Sequence, residues 1–413
     1  MLPGLMMNRA LSVTSIMEFA DRVHKDSEIV SVTADGLYRA TFSDTFRRVR
    51  QLANALAAAG VQSGDRVGTL AWNDHRHLEL YYAVSSSGAV CHTINPRLFP
   101  EQVAYIINHA QDRVLFTDPL FLPLLEKLQD HLGGVERYIV LTSANAMPDT
   151  SLPGAVDYES FIAAHHDSFD WPELDENAAC GLCYTSGTTG KPKGVLYSHR
   201  STVLHSYAIA MPDVMGLAMG ESVMPVVPMF HVNAWGLPYA APMVGAKMVL
   251  PGPKMGDGGA LAELINAERV TMTAGVPTVW LALLNHLAES GATVPTLKRV
   301  IVGGAACPLH IIEEFADKHG VEVNHAWGMT ETSPLGTFNT LMAGMDELPD
   351  GRFDEMRLKQ GRPIYGVDLR IVDDDGTEQP WDGEAFGEVR IRGNWISSGY
   401  FGIDAPGSHD DDG

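Results

Sequence analysis

Tyr184-Thr185-Ser186-Gly187-Thr188-Thr189-Gly190-Lys191-Pro192-Lys193-Gly194 is the stretch that decides how this 413-residue chain is read. An apolar run, 178–184, leads into it and reads as a strand. Three glycines permit tight turns and bare backbone N–H groups to a polyanion. Four hydroxyls add donors and one candidate magnesium ligand, and Lys191 and Lys193 add positive charge. It is no Walker A loop, because Gly190-Lys191 is followed by Pro192 where Ser or Thr is needed. A surface Ser/Thr/Gly linker is the plain alternative. The strand ahead of it and the paired lysines favour phosphate binding, at the carboxyl edge of a sheet where α/β proteins hold ligands.

Outward from that loop, strands alternate with helices. Towards the N-terminus the pattern predicts a helix over 43–59 capped by Ser43, strands at 65–71, 89–93 and 113–117, and helices at 78–88 and 101–110. Residues 119–176 read as less regular. Beyond the loop it predicts a helix from His199, strands at 222–227, 247–250, 271–275 and 298–302, and helices at 260–268 and 308–318, the last with Pro308 at its first position. This alternation means parallel βαβ units. After about 362 the pattern shifts to short strands, 367–373 and 387–391, separated by Asp/Gly turns. The expected organisation is a first α/β subdomain over 1–184, a second over 185–361, and a β-rich lobe over 362–413.

Acidic residues outnumber basic ones by 51 to 29, a net charge of -22. Such a surface repels nucleic acid and anionic membrane, and no Lys/Arg cluster overrides it. Cys180 and Cys183 form a C-x-x-C pair, but they sit in an apolar strand with no second pair to complete a zinc site. Four cysteines in 413 residues suit a reducing, cytoplasmic setting. No signal peptide and no 18-residue uncharged apolar run is read, so no membrane span is expected.

Other segments agree with the loop in order. They are Gly303-Gly304-Ala305-Ala306, His325-Ala326-Trp327-Gly328-Met329-Thr330-Glu331, and Gly387-Glu388-Val389-Arg390-Ile391-Arg392-Gly393. Together with the loop they resemble the signatures of the adenylate-forming superfamily of acyl- and aryl-CoA ligases, adenylation domains and luciferases. The resemblance covers essentially the whole chain. It implies the large N-terminal domain of that α/β fold. The family's ribose-binding Asp in a T-G-D motif, hinge and small C-terminal domain with its catalytic Lys do not occur within residues 1–413.

The resemblance implies that Thr185, Ser186, Gly187, Thr188, Thr189, Gly190, Lys191 and Lys193 wrap the outer phosphates of ATP. Glu331 would share a Mg2+ ion with Thr185, and Thr330 would touch the α-phosphate. Gly304, Ala305 and Ala306, with His325, Ala326, Trp327, Gly328 and Met329, would enclose the adenosine end. An isolated Trp is more often simple packing, and Glu331 alone reads equally as a solvated helix start.

Pro228-Met229-Phe230-His231-Val232-Asn233-Ala234-Trp235-Gly236 is the acyl-side stretch. By resemblance, His231 lies between the carboxylate pocket and the thiol path, and Trp235 gates an acyl tunnel. Catalytic candidates are therefore Thr185, Lys193, His231 and Glu331. His231 is expected to position substrate, since a carboxylate is already a nucleophile at neutral pH. Acyl-pocket candidates are His231, Val232, Trp235, Gly236, Gly303, Gly328, Met329, Thr332 and Pro334. They are mostly apolar or small, which suits an alkyl acid better than an amino acid.

The implied reaction is attack of a carboxylate on Mg-ATP to give acyl-AMP and pyrophosphate, then transfer of the acyl group to coenzyme A. The 325–331 pattern resembles 3-(methylthio)propionate-CoA ligases, the favoured substrate reading, and also medium-chain fatty acid-CoA ligases. A non-catalytic nucleotide-binding scaffold and an adenylation domain feeding a carrier protein stay as alternatives. A homodimer is implied by the resemblance alone.

Overall fold

The structure, a computed structural model, describes residues 1–34, 36–185, 190–405 and 407–409. Two large sheets form the frame. One has seven strands, in the order Val156–Asp157, Arg137–Val140, Val114–Thr117, Arg66–Leu70, Val90–Thr93, Ala179–Tyr184 and Gly194–Ser198. All neighbours run parallel except the final pair. The other has nine: Arg362–Pro363, Leu335–Phe338, Glu322–Gly328, Arg299–Val302, Met272–Gly275, Ser222–Pro225, Lys247–Leu250, Glu28–Thr33 and Gly36–Thr41. From Glu322–Gly328 to Glu28–Thr33 it is parallel.

Successive residues of these strands enter different cores, because strand side chains alternate between faces. Ile301 joins the core between the sheets while Val300 and Val302 join the outer one, and Phe116 and Leu115 divide likewise. Helices Val13–Val23, Phe42–Ala58, His75–Ser86, His199–Ala210 and Leu237–Val244 feed the shared central core. Helices Gly258–Ala267, Pro277–Ser290 and Leu309–His319 cover the outer face of the nine-stranded sheet. Pro100–Ala110 and Leu122–Leu128 cover the outer face of the seven-stranded one. The result is five layers, α/β/α/β/α. Strands covered on both faces become continuous apolar runs, and these runs are what made them readable.

Details differ from expectation for local reasons. Thr41, not Ser43, caps the first long helix. Its hydroxyl accepts from the Asp44 amide, and the Asp44 carboxylate accepts from the Thr41 amide. Pro308 is the cap residue itself and lies before the first helical position. The region 119–176 is ordered, holding the short helices Leu122–Leu128 and Tyr158–Ala163 and the strands Arg137–Val140 and Val156–Asp157. The boundary expected at 184 falls inside the antiparallel pair Ala179–Tyr184 and Gly194–Ser198. The hairpin Glu28–Thr41 belongs to the far sheet, with Ile29 paired to Met248. Near the C-terminal end, Val367–Val372 and Glu388–Gly393 form a separate two-stranded ribbon. Among the described residues no helix is long and apolar enough to cross a membrane.

Candidate active site

A cleft of about 700 Å³ opens where the carboxyl ends of both sheets meet. The seven-stranded sheet contributes Thr185, Gly190, Lys191 and Lys193 after Ala179–Tyr184, and Asn95 and Arg97 after Val90–Thr93. The nine-stranded sheet contributes 230–232 and Trp235 after Ser222–Pro225, Gly303 and Gly304 after Arg299–Val302, and residues 326–331 at the end of Glu322–Gly328. Loops at the carboxyl edge of parallel strands thus converge, as the phosphate-loop argument required.

At one end the loop is closed at its neck. The Thr185 amide donates to the Lys193 carbonyl at 2.9 Å, and the Lys193 amide donates to Thr185 Oγ1 at 3.2 Å. Ser186, Gly187, Thr188 and Thr189 lie outside the described residues. Lys191 Nζ stands 5.0 Å from the centre of the Tyr105 ring, and Lys193 Nζ 4.7 Å from that of Tyr400. Among the described residues neither ammonium is in an ion pair. Aromatic faces hold each cation without neutralising it, which leaves both charges available to an anion. Glu331 faces the same space, and its Oε1 accepts from Tyr400 Oη at 2.7 Å. Tyr197 Oη donates to the Thr330 carbonyl at 2.7 Å and fixes that turn from below.

Trp327 sits in the strand Glu322–Gly328, one residue before its end, and not in the loop beyond it. Its ring rests on Gly336, where a Cβ would meet it at 2.8 Å. A Cβ at Gly328 would overlap the Pro334 carbonyl oxygen, so only glycine lets the chain turn there. Gly304 has φ +76 and an open cleft-facing surface.

The acyl-side stretch adopts an unusual backbone. Val232, Asn233, Ala234, Trp235 and Gly236 all have positive φ, making one left-handed turn. Four of these carry side chains, and the conformation costs an L-residue about 1–2 kcal/mol. Buried polar contacts hold it. Tyr81 Oη donates to the Met229 carbonyl and lies 3.2 Å from Asn233 Oδ1. Asn73 donates to the carbonyls of Pro225 and Val227, each at 2.9 Å, and accepts from the Met229 amide at 2.6 Å. The turn drives the Trp235 indole onto Gly303. His231 opens to the cleft, but enclosure by the cleft walls, with the nearby Arg97 charge second, holds its pKa below the usual 6.5. It is therefore neutral at pH 7.

Thr185, Gly190, Lys191, Lys193, His231, Val232, Trp235, Gly303, Gly304, Ala326, Trp327, Gly328, Met329, Thr330, Glu331 and Pro334 thus share one cleft. Ala305, Ala306, His325, Gly236 and Thr332 do not line it. His325 is buried between the carbonyls of Ala305 and Leu358, at 3.3 Å from each. A Cβ at Gly236 would meet His205 at 2.7 Å. The Thr332 hydroxyl accepts from the Met329 amide at 2.9 Å, inside its own turn. Asn95, Arg97, Phe230, Val276 and Tyr400 line the cleft without having been expected there. Only the Asn95-Pro96-Arg97 segment, a polar turn just after a strand, carried a signal that could have found them. Cys180 and Cys183 are buried free thiols, and burial pushes them up to about 12 and about 11. That matches their reading as packing residues.

The donor set suits magnesium better than a tightly caged metal. Among the described residues no group of three or more His, Cys, Asp or Glu converges. Mg2+ is ordinarily held by one or two carboxylates with phosphate and water oxygens, and the cleft offers the Glu331 carboxylate and the Thr185 hydroxyl.

Residues 18–401 match the AMP-binding enzyme family. The 3-methylmercaptopropionyl-CoA ligase of Ruegeria lacuscaerulensis is 51% identical over 399 residues, covering 96% of this chain and 74% of that protein. The medium-chain-fatty-acid–CoA ligase of Ectopseudomonas oleovorans is 50% identical over 412 residues, 99% of this chain and 75% of that protein. An anthranilate CoA ligase solved in complex with anthranoyl-AMP superposes with a TM-score of 0.84 at 22% identity, covering 96% of this chain and 72% of that one. The last likeness speaks for the fold.

Proposed function

The chain belongs to the AMP-binding enzyme family and is an ATP-dependent, AMP-forming acid–thiol ligase, and from that premise we propose that its acid substrate is 3-(methylthio)propionate, activated in the cleft between the two sheets. The observation that carries this is the pairing of a polar, charged end at Thr185, Lys193 and Glu331 with an apolar end where Trp235 packs on Gly303. A relative named for 3-methylmercaptopropionate, 51% identical, supports the choice.

In the first half-reaction a carboxylate oxygen of the acid forms a bond to the α-phosphorus of ATP, and the bond to pyrophosphate breaks. Negative charge grows on the leaving phosphates, where the ammonium groups of Lys191 and Lys193, unpaired among the described residues, would offset it. Glu331 and Thr185 would hold Mg2+, which when bound offsets charge on phosphate oxygens. Neutral His231 flanks the reacting carboxylate and orients it without carrying charge into the apolar end. In the second half-reaction the coenzyme A sulfur attacks the acyl carbonyl carbon and the bond to AMP breaks. The contribution of the chain is alignment and charge stabilisation.

Acid-dependent exchange of labelled pyrophosphate into ATP tests the first half-reaction. Comparing kcat/KM for 3-(methylthio)propionate, butyrate, hexanoate and octanoate tests the substrate, and a maximum at eight carbons would transfer the assignment to medium-chain fatty acids. Glu331→Gln should raise the Mg2+ concentration that exchange requires. Unchanged metal dependence would remove Glu331 from that role.

A homodimer and a cytoplasmic location belong to the same proposal. The exposed Leu2, Leu5, Met6 and Met7 of the N-terminal arm support the first, and four buried free thiols support the second. Sedimentation and cell fractionation check them.

A further inference from the structure

Tyr400 lies outside every segment that the family resemblance rests on, yet it touches two charged groups of opposite sign at the phosphate end, Lys193 and Glu331. Its hydroxyl donates to Glu331 Oε1 at 2.7 Å, and its ring carries the Lys193 ammonium at 4.7 Å. Its own segment is fastened to both partners' elements. The Ser397 amide donates to the Glu331 carbonyl at 2.8 Å, and the Phe401 amide donates to the Gly194 carbonyl at 2.8 Å. Residues 397–401 therefore bridge the turn Thr330–Thr332 and the strand Gly194–Ser198.

Glu331 and Lys193 carry opposite charges and share one cleft, but no ion pair joins them among the described residues. A flexible lysine next to a carboxylate would ordinarily close on it. Such a pair would consume the positive charge meant for phosphate and the oxygen meant for a cation. Tyr400 stands between them. On one side its hydroxyl donates to Glu331 Oε1. The other side gives the ammonium an aromatic seat that does not neutralise it.

We propose that Tyr400 is a positioning residue that keeps Glu331 and Lys193 apart and aims one at the cation and the other at the phosphates. This rests on the reading of Glu331 as the cation ligand. The hydroxyl and the ring have separate duties, so two substitutions separate them. Tyr400→Phe removes the hydroxyl, leaves Glu331 free to rotate, and keeps the seat for Lys193. Tyr400→Leu removes both and lets Lys193 reach Glu331.

The test is equilibrium binding of ATP, measured calorimetrically with and without Mg2+ on the wild type, Y400F, Y400L and E331Q. Melting temperatures confirm that each variant is folded. Loss of one charge-assisted hydrogen bond predicts that Y400F raises the Mg2+ concentration for half-maximal enhancement of ATP binding about 10–100-fold. Its metal-free ATP affinity should stay at the wild-type value. Y400L should also lose metal-free affinity, because Lys193 is then paired. Three outcomes overturn the proposal. If E331Q shifts the Mg2+ requirement and Y400F does not, Tyr400 has no positioning role while Glu331 keeps its own. If neither shifts it, the cation reading of Glu331 falls and takes the proposal with it. If Y400F shifts it and E331Q does not, Tyr400 acts by a route other than Glu331.

Discussion

The indole of Trp235 occupies the place where Gly303 has no side chain: a Cβ there would sit 2.9 Å from Cη2. The absent side chain at 303 is therefore what seats the ring that closes the apolar end. Gly303→Ala should displace the indole and lower kcat/KM for every acid. Trp235→Ala should lengthen the pocket and shift the maximum of kcat/KM towards longer acids by two or more carbons. The acid series read on both variants checks this, and an unmoved maximum in Trp235→Ala would show that the ring does not set chain length.

The left-handed turn over 232–236 depends on Tyr81. Tyr81→Phe leaves the Met229 carbonyl without that buried donor. An unsatisfied buried acceptor costs about 1–3 kcal/mol. Urea unfolding should show a loss of that size. Because the turn also places Trp235, selectivity among acids should broaden in the same variant.

Gly328 tolerates no side chain. Gly328→Ala forces the turn away from the Pro334 carbonyl, an overpacking cost of about 1–3 kcal/mol. Loss of ATP affinity should accompany the stability loss, since Trp327, Met329 and Thr330 on either side line the cleft. Paired thermal melts and binding isotherms check both.

His205 is buried behind the acyl wall, and burial drives its pKa down to about 3. The Leu335 amide donates to its Nε2 at 3.3 Å, which requires that nitrogen to be unprotonated. The unfolded chain takes up this proton near 6.5 and the folded chain refuses it until about 3. Stability from this group is thus whole above pH 6.5 and falls as pH drops. Relative to His205→Asn, the wild type should lose about 1.4 kcal/mol per pH unit between pH 6 and pH 4. Urea midpoints of the two proteins at pH 7.5, 6 and 5 measure the difference.

Arg97 is seated on the Phe230 ring, 5.8 Å from its centre, and its charge helps hold His231 neutral. Arg97→Gln should raise the His231 pKa while leaving it below 6.5, because enclosure is the larger cause. Titration of the His231 ring proton by NMR reads the change. A fall, or no movement, would mean that Arg97 does not act on the ring.

Much of this architecture was legible because it is local. Strand–helix alternation writes itself in periodicity, and the run 184–194 concentrates glycines, hydroxyls and lysines in one place. What escaped depends on distant partners. Nothing near Val232 announces a left-handed turn, since Tyr81 and Asn73 impose it from another sheet's connections. The Thr41 cap was hidden by Ser43 two residues on, an equally good capping type; only the reciprocal contact with Asp44 distinguishes them. Tyr400 enters the cleft through tertiary placement, so its residue type alone carried no message, whereas Arg97 stands in a polar turn just after a strand. His325, on the same strand as Trp327, is taken up between the carbonyls of Ala305 and Leu358, partners that lie far from it in sequence.

The hairpin over residues 28–41 finds its sheet neighbour at Lys247–Leu250. At roughly 5–20 residues per second on a ribosome, about 10–40 seconds pass before that neighbour is made. Through that interval the first strand pair has an unfilled parallel edge, the kind of edge that invites pairing with other chains. Bringing its ends together also demands closure over two hundred residues, which places this step late and makes it slow. Yield during production should therefore respond more strongly to translation speed and chaperone supply than the stability of the finished protein would suggest.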